Sequence, residues 1–277
     1  MRSVEHTYAL QRPVKCTSHV IFSQHVDVTI REIRAGEDSD GTAGFVWPAS
    51  RLLAHFLQTV PANEESAASI CPALRCFQGK RVLELGGGTG VLGIALGAIG
   101  ASVTITDVPE AVPHIQANIE RNSVLWENPQ ACRPVSRPHA WGEDTEWLSA
   151  CAFDYVIGAD LLYFGGWDLF GQDSREPLLQ TLAAAASSSS HAVLGWPVRH
   201  PEREGDFLSK ASRRFNLRLH TGHGEGDEEI NWKWSEVWRG IAPGGDITSA
   251  QYAALLHEGA FACLELSTCG GAAERKR

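Results

Sequence analysis

The stretch "VLELGGGTGVLGIALGAIGASVTITD", Val82 to Asp107, decides the fold: an apolar strand enters a glycine turn, an apolar helix follows, and a second strand ends on an acid. Gly86, Gly88 and Gly90 allow a tight turn and let a ligand lie close to the backbone. Asp107 follows Gly86 by 21 residues, at the end of the next strand. A carboxylate there can accept hydrogen bonds from a ribose diol.

The turn is not a good nicotinamide fingerprint. That pattern wants glycine or alanine at the third position of G-x-G-x-x-G, where this chain has Val91 and a G-x-G-x-G spacing. Glu84 also stands just before the turn, where its charge would repel a pyrophosphate but suit a cationic ligand such as a sulfonium. A structural reading of Glu84, a strand-end carboxylate bonded to nearby backbone amides, remains open beside the ligand one.

Outward from this unit, strand-like and helix-like segments alternate. "RVLEL", "SVTIT", "CRPVSR", "FDYVIGAD", "HAVLGW", "NLRLH" and "WKWSEVWR" give seven strands, with helices over 90–99, 110–122, 175–187 and 202–214 between them. The pattern predicts an α/β, Rossmann-like sheet of seven mostly parallel strands, with helices on both faces and an antiparallel last strand. Trp232, Trp234 and Trp238 suggest one packed face of that last strand. Upstream, "VDVTIREIR" alternates like a half-buried strand, and Pro48 opens an apolar helix in "VWPASRLLAHFLQTV". The chain divides into a lead-in over 1–74, a core over 75–240, and an extension over 241–277 ending in a frayed, glycine-containing tail.

At 277 residues, 43% of them hydrophobic, the chain can bury a substantial core. The net charge of −9 gives no overall positive field, so nucleic acid is not expected as the main partner. Seven scattered cysteines lack a C-x-x-C pair, so reduced thiols are expected, and no H-x-x-x-H helix pair suggests a metal. No signal-peptide core or membrane-length apolar run is present, which predicts a cytoplasmic protein away from membranes, with an organellar transit segment left open; a monomer is expected.

Several ordered motifs carry a closer resemblance. "VLELGGGTGVLGIAL" followed by "TDVPEAVPHIQANIERN" resembles the seven-β-strand methyltransferases that use S-adenosyl-L-methionine. With "VWPASRLLAHFL", "AWG" at 140–142, "DYVIGADLLY" at 154–163 and "RHPEREGDFLSKASRRF", the chain resembles methyltransferase family sixteen over about residues 27 to 240. That group is dominated by protein-lysine methyltransferases. The resemblance implies that Gly86, Gly87 and Gly88 cradle the methionine part of the cofactor, and that Asp107 holds its ribose. Trp141 would flank the adenine, Trp47 would cover the cofactor from the N-terminal side, and Ala159 would touch it from the fourth core strand. Both tryptophans also admit a packing role.

"ADLLY" puts Asp160 and Tyr163 just past the carboxyl end of a buried strand, matching the family's acidic-x-x-Tyr motif. Methyl transfer is an in-line displacement that needs an aligned, deprotonated nucleophile. Stripping the proton from a lysine of pKa near 10.4 costs roughly 4 to 5 kcal/mol at neutral pH. Asp160 suits holding the amine while water takes the proton, and Tyr163 suits a channel wall or donor. A helix N-cap at Asp160 beside a core tyrosine is the structural alternative. Leucines at 161 and 162 replace the paired prolines of enzymes that methylate adenine or glutamine amides. The resemblance, with its acidic-x-x-Tyr motif, and the acidic net charge imply a substrate protein's lysine as the acceptor, with histidine, a small amine or a non-catalytic cofactor-binding module as alternatives. Arg199, after the fifth core strand, reads as a surface salt bridge or a substrate contact.

Overall fold

The computed structural model describes residues 16–21, 26–33, 43–59, 77–162, 173–186, 191–224, 233–240, 248–258 and 260–268. A hairpin of β1 (Cys16–Ile21) and β2 (Val26–Arg31) precedes helix α1 (Pro48–Thr59). Then come β3 (Arg81–Leu85), α2 (Val91–Ala98), β4 (Ser102–Asp107), α3 (Val112–Arg121), β5 (Val135–Pro138), α4 (Glu146–Cys151) and β6 (Tyr155–Ala159). The rest is α5 (Arg175–Ala185), β7 (His191–Pro197), α6 (Pro201–Ala211), β8 (Phe215–His223), β9 (Lys233–Gly240), α7 (Ser249–Leu255) and β10 (Phe261–Thr268).

The main sheet runs β5-β4-β3-β6-β7-β10-β8-β9. Its first five strands are parallel, while β10 is antiparallel to both neighbours and β9 pairs antiparallel with β8 at the edge. Strands such as β3, β6 and β7 are apolar along their middles because helices cover both sides. One face packs on α1, α2, α3 and the β1–β2 hairpin, through Leu53, Phe56, Ile94 and Ile115. The other packs on α4 to α7, through Leu148, Leu179, Phe207 and Tyr252.

From β3 the chain steps outward to β4 and β5, then returns to β6 on the opposite side. The strand order reverses there, opening a crevice at the carboxyl ends of β3 and β6 where open α/β sheets take ligands.

The main sheet has eight strands rather than the expected seven. The additional one is β10, inside the 241–277 segment, and it slots between β7 and β8. Its residues 261–266 are buried on both faces, so "FACLEL" shows no alternation and merges in sequence with the Ala/Leu-rich helix before it. A glutamate in mid-strand also argues against burial, but Glu265 is paired: His220 Nε2 lies 2.5 Å from its Oε1 and Arg218 Nη1 3.7 Å from its Oε2.

The tryptophan reading also needs correction. Leu219 pairs Trp238 while His220 pairs Glu236, so Val237 bulges out of register. That extra residue flips the face. Trp234 packs on the α1 side with Phe56 and Phe261, whereas Trp238 meets Tyr252 of α7. Trp232 lies outside the described residues.

Candidate active site

The glycine turn is shaped by what touches it. Gly86 has φ +59°, and a Cβ there would sit 2.6 Å from Leu161 Cδ2 and 3.3 Å from Trp141 Cζ2. The turn after β3 thus packs directly on the segment after β6. A Cβ on Gly87 would meet Ile105 Cγ2 at 2.3 Å. The backbone holds this shape through Gly87 N–H to the Thr106 carbonyl (2.9 Å) and Gly90 N–H to the Gly87 carbonyl (2.7 Å).

Asp107 closes one side. Its Oδ2 accepts from Gly88 N–H at 2.7 Å and its Oδ1 from Val108 N–H at 2.8 Å. Burial raises its pKa, while these two amides pull it back down. Each oxygen keeps lone-pair capacity beyond the amide it holds. Next to it, His139 donates its backbone N–H to the Asp107 carbonyl at 2.8 Å, and its buried ring packs edge-on against Trp147.

Glu84 lies beneath the turn rather than across its mouth. It is buried on the α2 side, where its Oε2 would lie 2.3 Å from a Cβ on Gly93 and has no hydrogen-bond partner. Burial pushes its pKa up to about 8, the Asp107 charge adds to the rise, and the nearby Gly93 amide opposes it. With a folded pKa above the ordinary value of 4.5, this group's stabilising contribution is full below that value and is lost as pH climbs toward about 8. Asp107 shifts in the same direction. Glu84→Gln is therefore expected to flatten, in part, the decline of unfolding free energy between about pH 5 and pH 8. Urea midpoints measured across that range check it, and an unchanged slope contradicts it.

Of three other expected cofactor contacts, Trp141 reaches the turn. Trp141 is half-buried with its indole against the turn, followed by Gly142, whose N–H donates to Thr181 Oγ1 at 2.8 Å. Ala159 ends β6. Trp47 is 40% exposed just ahead of α1. Its segment approaches the turn, since the Ala43 carbonyl lies 3.5 Å from where a Gly88 Cβ would be.

Asp160 follows β6 with φ +58°, its N–H bonded to the Gly195 carbonyl at 2.7 Å. It caps no helix. Both carboxylate oxygens are taken by one guanidinium, Arg199 Nη1 to Oδ1 at 2.7 Å and Nη2 to Oδ2 at 2.6 Å. Tyr163 lies outside the described residues.

Sequence reasoning missed two supports. Buried Asn118 accepts from Arg31 N–H at 3.0 Å and donates to the Thr89 carbonyl at 3.0 Å, tying β2 and α3 to the glycine turn. Asn122 both accepts from and donates to the backbone of Thr29. The second support is Glu204, whose Oε1 takes the N–H groups of Arg199 (2.9 Å) and His200 (3.0 Å). An acid in the first turn after Pro201 was the available signal for it.

A family profile described as lysine methyltransferase matches residues 26–214, spanning the hairpin strand β2, the glycine turn and Asp160. The chain belongs to this lysine methyltransferase family. Among its relatives, Protein N-lysine methyltransferase METTL21A of Mus musculus is 33% identical over 64% of this chain and 70% of its own. EEF1A lysine methyltransferase 3 of Xenopus tropicalis is 33% identical over 69% and 73%. Among solved structures, the T. thermophilus 16S rRNA methyltransferase RsmC has a similar fold at 18% identity and TM-score 0.53, covering 92% of this chain and 50% of that one. In this chain of the family a glycine turn follows β3, Asp107 ends β4 and Asp160 follows β6, all at one end of the sheet.

Proposed function

We propose that this chain is an S-adenosylmethionine-dependent N-methyltransferase acting on lysine side chains of a substrate protein. One observation carries this reading: the glycine turn after β3 and the Asp160 segment after β6 are in contact through Gly86 and Leu161, in a chain of the lysine methyltransferase family. Cofactor cradle and anionic acceptor site are then neighbours.

The residues fit the cofactor. Gly86 and Gly87 pack against Leu161, Trp141 and Ile105 with no room for side chains, and we assign the backbone of Gly86, Gly87 and Gly88 to the methionine part of the cofactor. Asp107 is fixed by two amides, and we assign it the ribose diol. Trp141 is assigned to the adenine side, and Ala159 to the β6 wall. Trp47 and the lead-in are assigned to cover the cofactor, which the approach of Ala43 to Gly88 supports. Glu84, buried below the turn, is assigned to supporting it from α2. When bound, S-adenosylmethionine supplies an electrophilic methyl group on a sulfonium that departs as a neutral thioether. Asp160 accepts N–H bonds from the incoming amine and aligns its lone pair. Tyr163, three residues on, is assigned to the substrate channel.

No helix among the described residues is long and apolar enough to cross a membrane. The net charge of −9 favours a basic protein surface over nucleic acid as partner, and we read the enzyme as cytoplasmic and monomeric. The test is transfer of tritiated methyl groups from S-adenosylmethionine into total soluble cell protein. Label that protease removes and nuclease spares is expected. Label removed by nuclease, or confined to small molecules, overturns the reading.

A further inference from the structure

Asp160 taken alone poses a chemical difficulty. A carboxylate close to a lysine stabilises the ammonium form, and an ammonium has no lone pair with which to attack. The proton must pass to water before the nitrogen lone pair forms the N–C bond and the C–S electron pair passes to sulfur. A bare Asp160 would hold the substrate well and in the wrong protonation state.

The geometry around Asp160 answers this. A two-point fork from Arg199 spans both carboxylate oxygens, with the carboxylate side chain 11% exposed and the guanidinium 45% exposed. Arg199 is itself anchored, because Glu204 is 1% exposed and holds the backbone N–H groups of Arg199 and His200 on one oxygen. The Asp160 backbone is in the left-handed region, which aspartate tolerates better than most non-glycine residues. Glu204, the α6 entry turn, Arg199 and Asp160 form one rigid series.

We propose that Arg199 is a positioning residue that fixes the Asp160 carboxylate and balances its charge, so that the bound lysine amine is released from its proton at physiological pH. The proposal rests on the lysine-methyltransferase reading above. The fork occupies one lone pair on each oxygen and leaves others for the amine N–H. The neighbouring guanidinium cancels much of the pull a lone carboxylate exerts on an ammonium.

Other charged groups on the surrounding elements frame the pair. On α6 and its N-cap they are His200, Glu202, Arg203, Glu204, Asp206 and Lys210. Across the start of α5 runs the chain Asp173–Arg175–Asp206–Lys210, with Arg214–Glu176 beyond it. On the cofactor side they are Asp107 and Glu84. Among the described residues, Arg199 alone spans both Asp160 oxygens.

The test measures tritium transfer into total soluble cell protein against pH, for wild type, Arg199→Gln, Arg199→Lys and Asp160→Asn. For wild type the rate rises with pH as the amine loses its proton. Arg199→Gln is expected to move that rise upward by about one pH unit and to lower kcat at neutral pH by about tenfold. Arg199→Lys keeps the rise in place while losing the fork, and Asp160→Asn moves it downward. Thermal melts and cofactor Kd serve as controls for folding, since Arg199 is outside the glycine cradle. A rise at the same pH in Arg199→Gln and wild type overturns the proposal, even if rates fall. A wild type that labels no protein overturns the underlying reading, and the proposal with it.

Discussion

Asp160→Asn is expected to cut methyl transfer about a hundredfold or more at saturating cofactor, the scale associated with losing alignment at a reacting centre. Asparagine is the informative substitution. It matches aspartate in shape and tolerates the left-handed backbone that Asp160 adopts at φ +58°. Alanine would add backbone strain to the loss of function. Asn removes the anion, so the Arg199 fork loses its charge-assisted partner and the incoming amine loses its acceptor. Arg199 is 45% exposed and can be hydrated in its place, so little stability is expected to go. Cofactor affinity, which we assign to the β3 turn and Asp107, should hold. Steady-state kinetics with calorimetric cofactor titration check this. Retained kcat in Asp160→Asn would remove this residue from the chemistry.

Gly86→Ala is expected to damage both fold and cofactor binding. A left-handed alanine costs about 1 to 2 kcal/mol, and forcing its methyl into packed neighbours adds about 1 to 3 kcal/mol. The neighbours are specific: Leu161 Cδ2 at 2.6 Å and Trp141 Cζ2 at 3.3 Å. Relief requires Leu161 or Trp141 to shift. Either movement opens the contact between the cradle and the Asp160 segment, so cofactor Kd should rise at least about tenfold. Urea unfolding with and without cofactor is the measurement. An unchanged midpoint and Kd would mean the turn is looser than its contacts indicate.

Much of this architecture was legible because local and global signals agree. The run from Val82 to Asp107 shows strand, turn, buried helix and strand in order, and β3, α2 and β4 form there. Pro48 opens α1 as its fixed φ favours. What escaped depends on partners far away in sequence. β10 reads as an apolar run because both its faces are covered, and its Glu265 is tolerated only through His220 and Arg218 on β8. Trp238 changes face through a bulge at Val237, and a bulge leaves no mark in side-chain periodicity. Asp107 ends β4 as its place in the run predicts, and it accepts from Gly88 N–H of the glycine turn. Glu84 stands one layer lower, since strand alternation turns it toward α2 and away from the Leu83–Leu85 face. Arg199 looked like a surface ion pair, and its partner could not be read without the sheet order that brings β7 beside β6.

The central claim is that the acceptor is a lysine amine on a protein. It is tested most directly by labelling total soluble cell protein with tritiated S-adenosylmethionine and the wild-type enzyme, hydrolysing the washed protein in acid, and separating its amino acids. Tritium in methylated lysine, lost with Asp160→Asn, is the predicted result. Tritium in methylhistidine with none in methyllysine would contradict the claim.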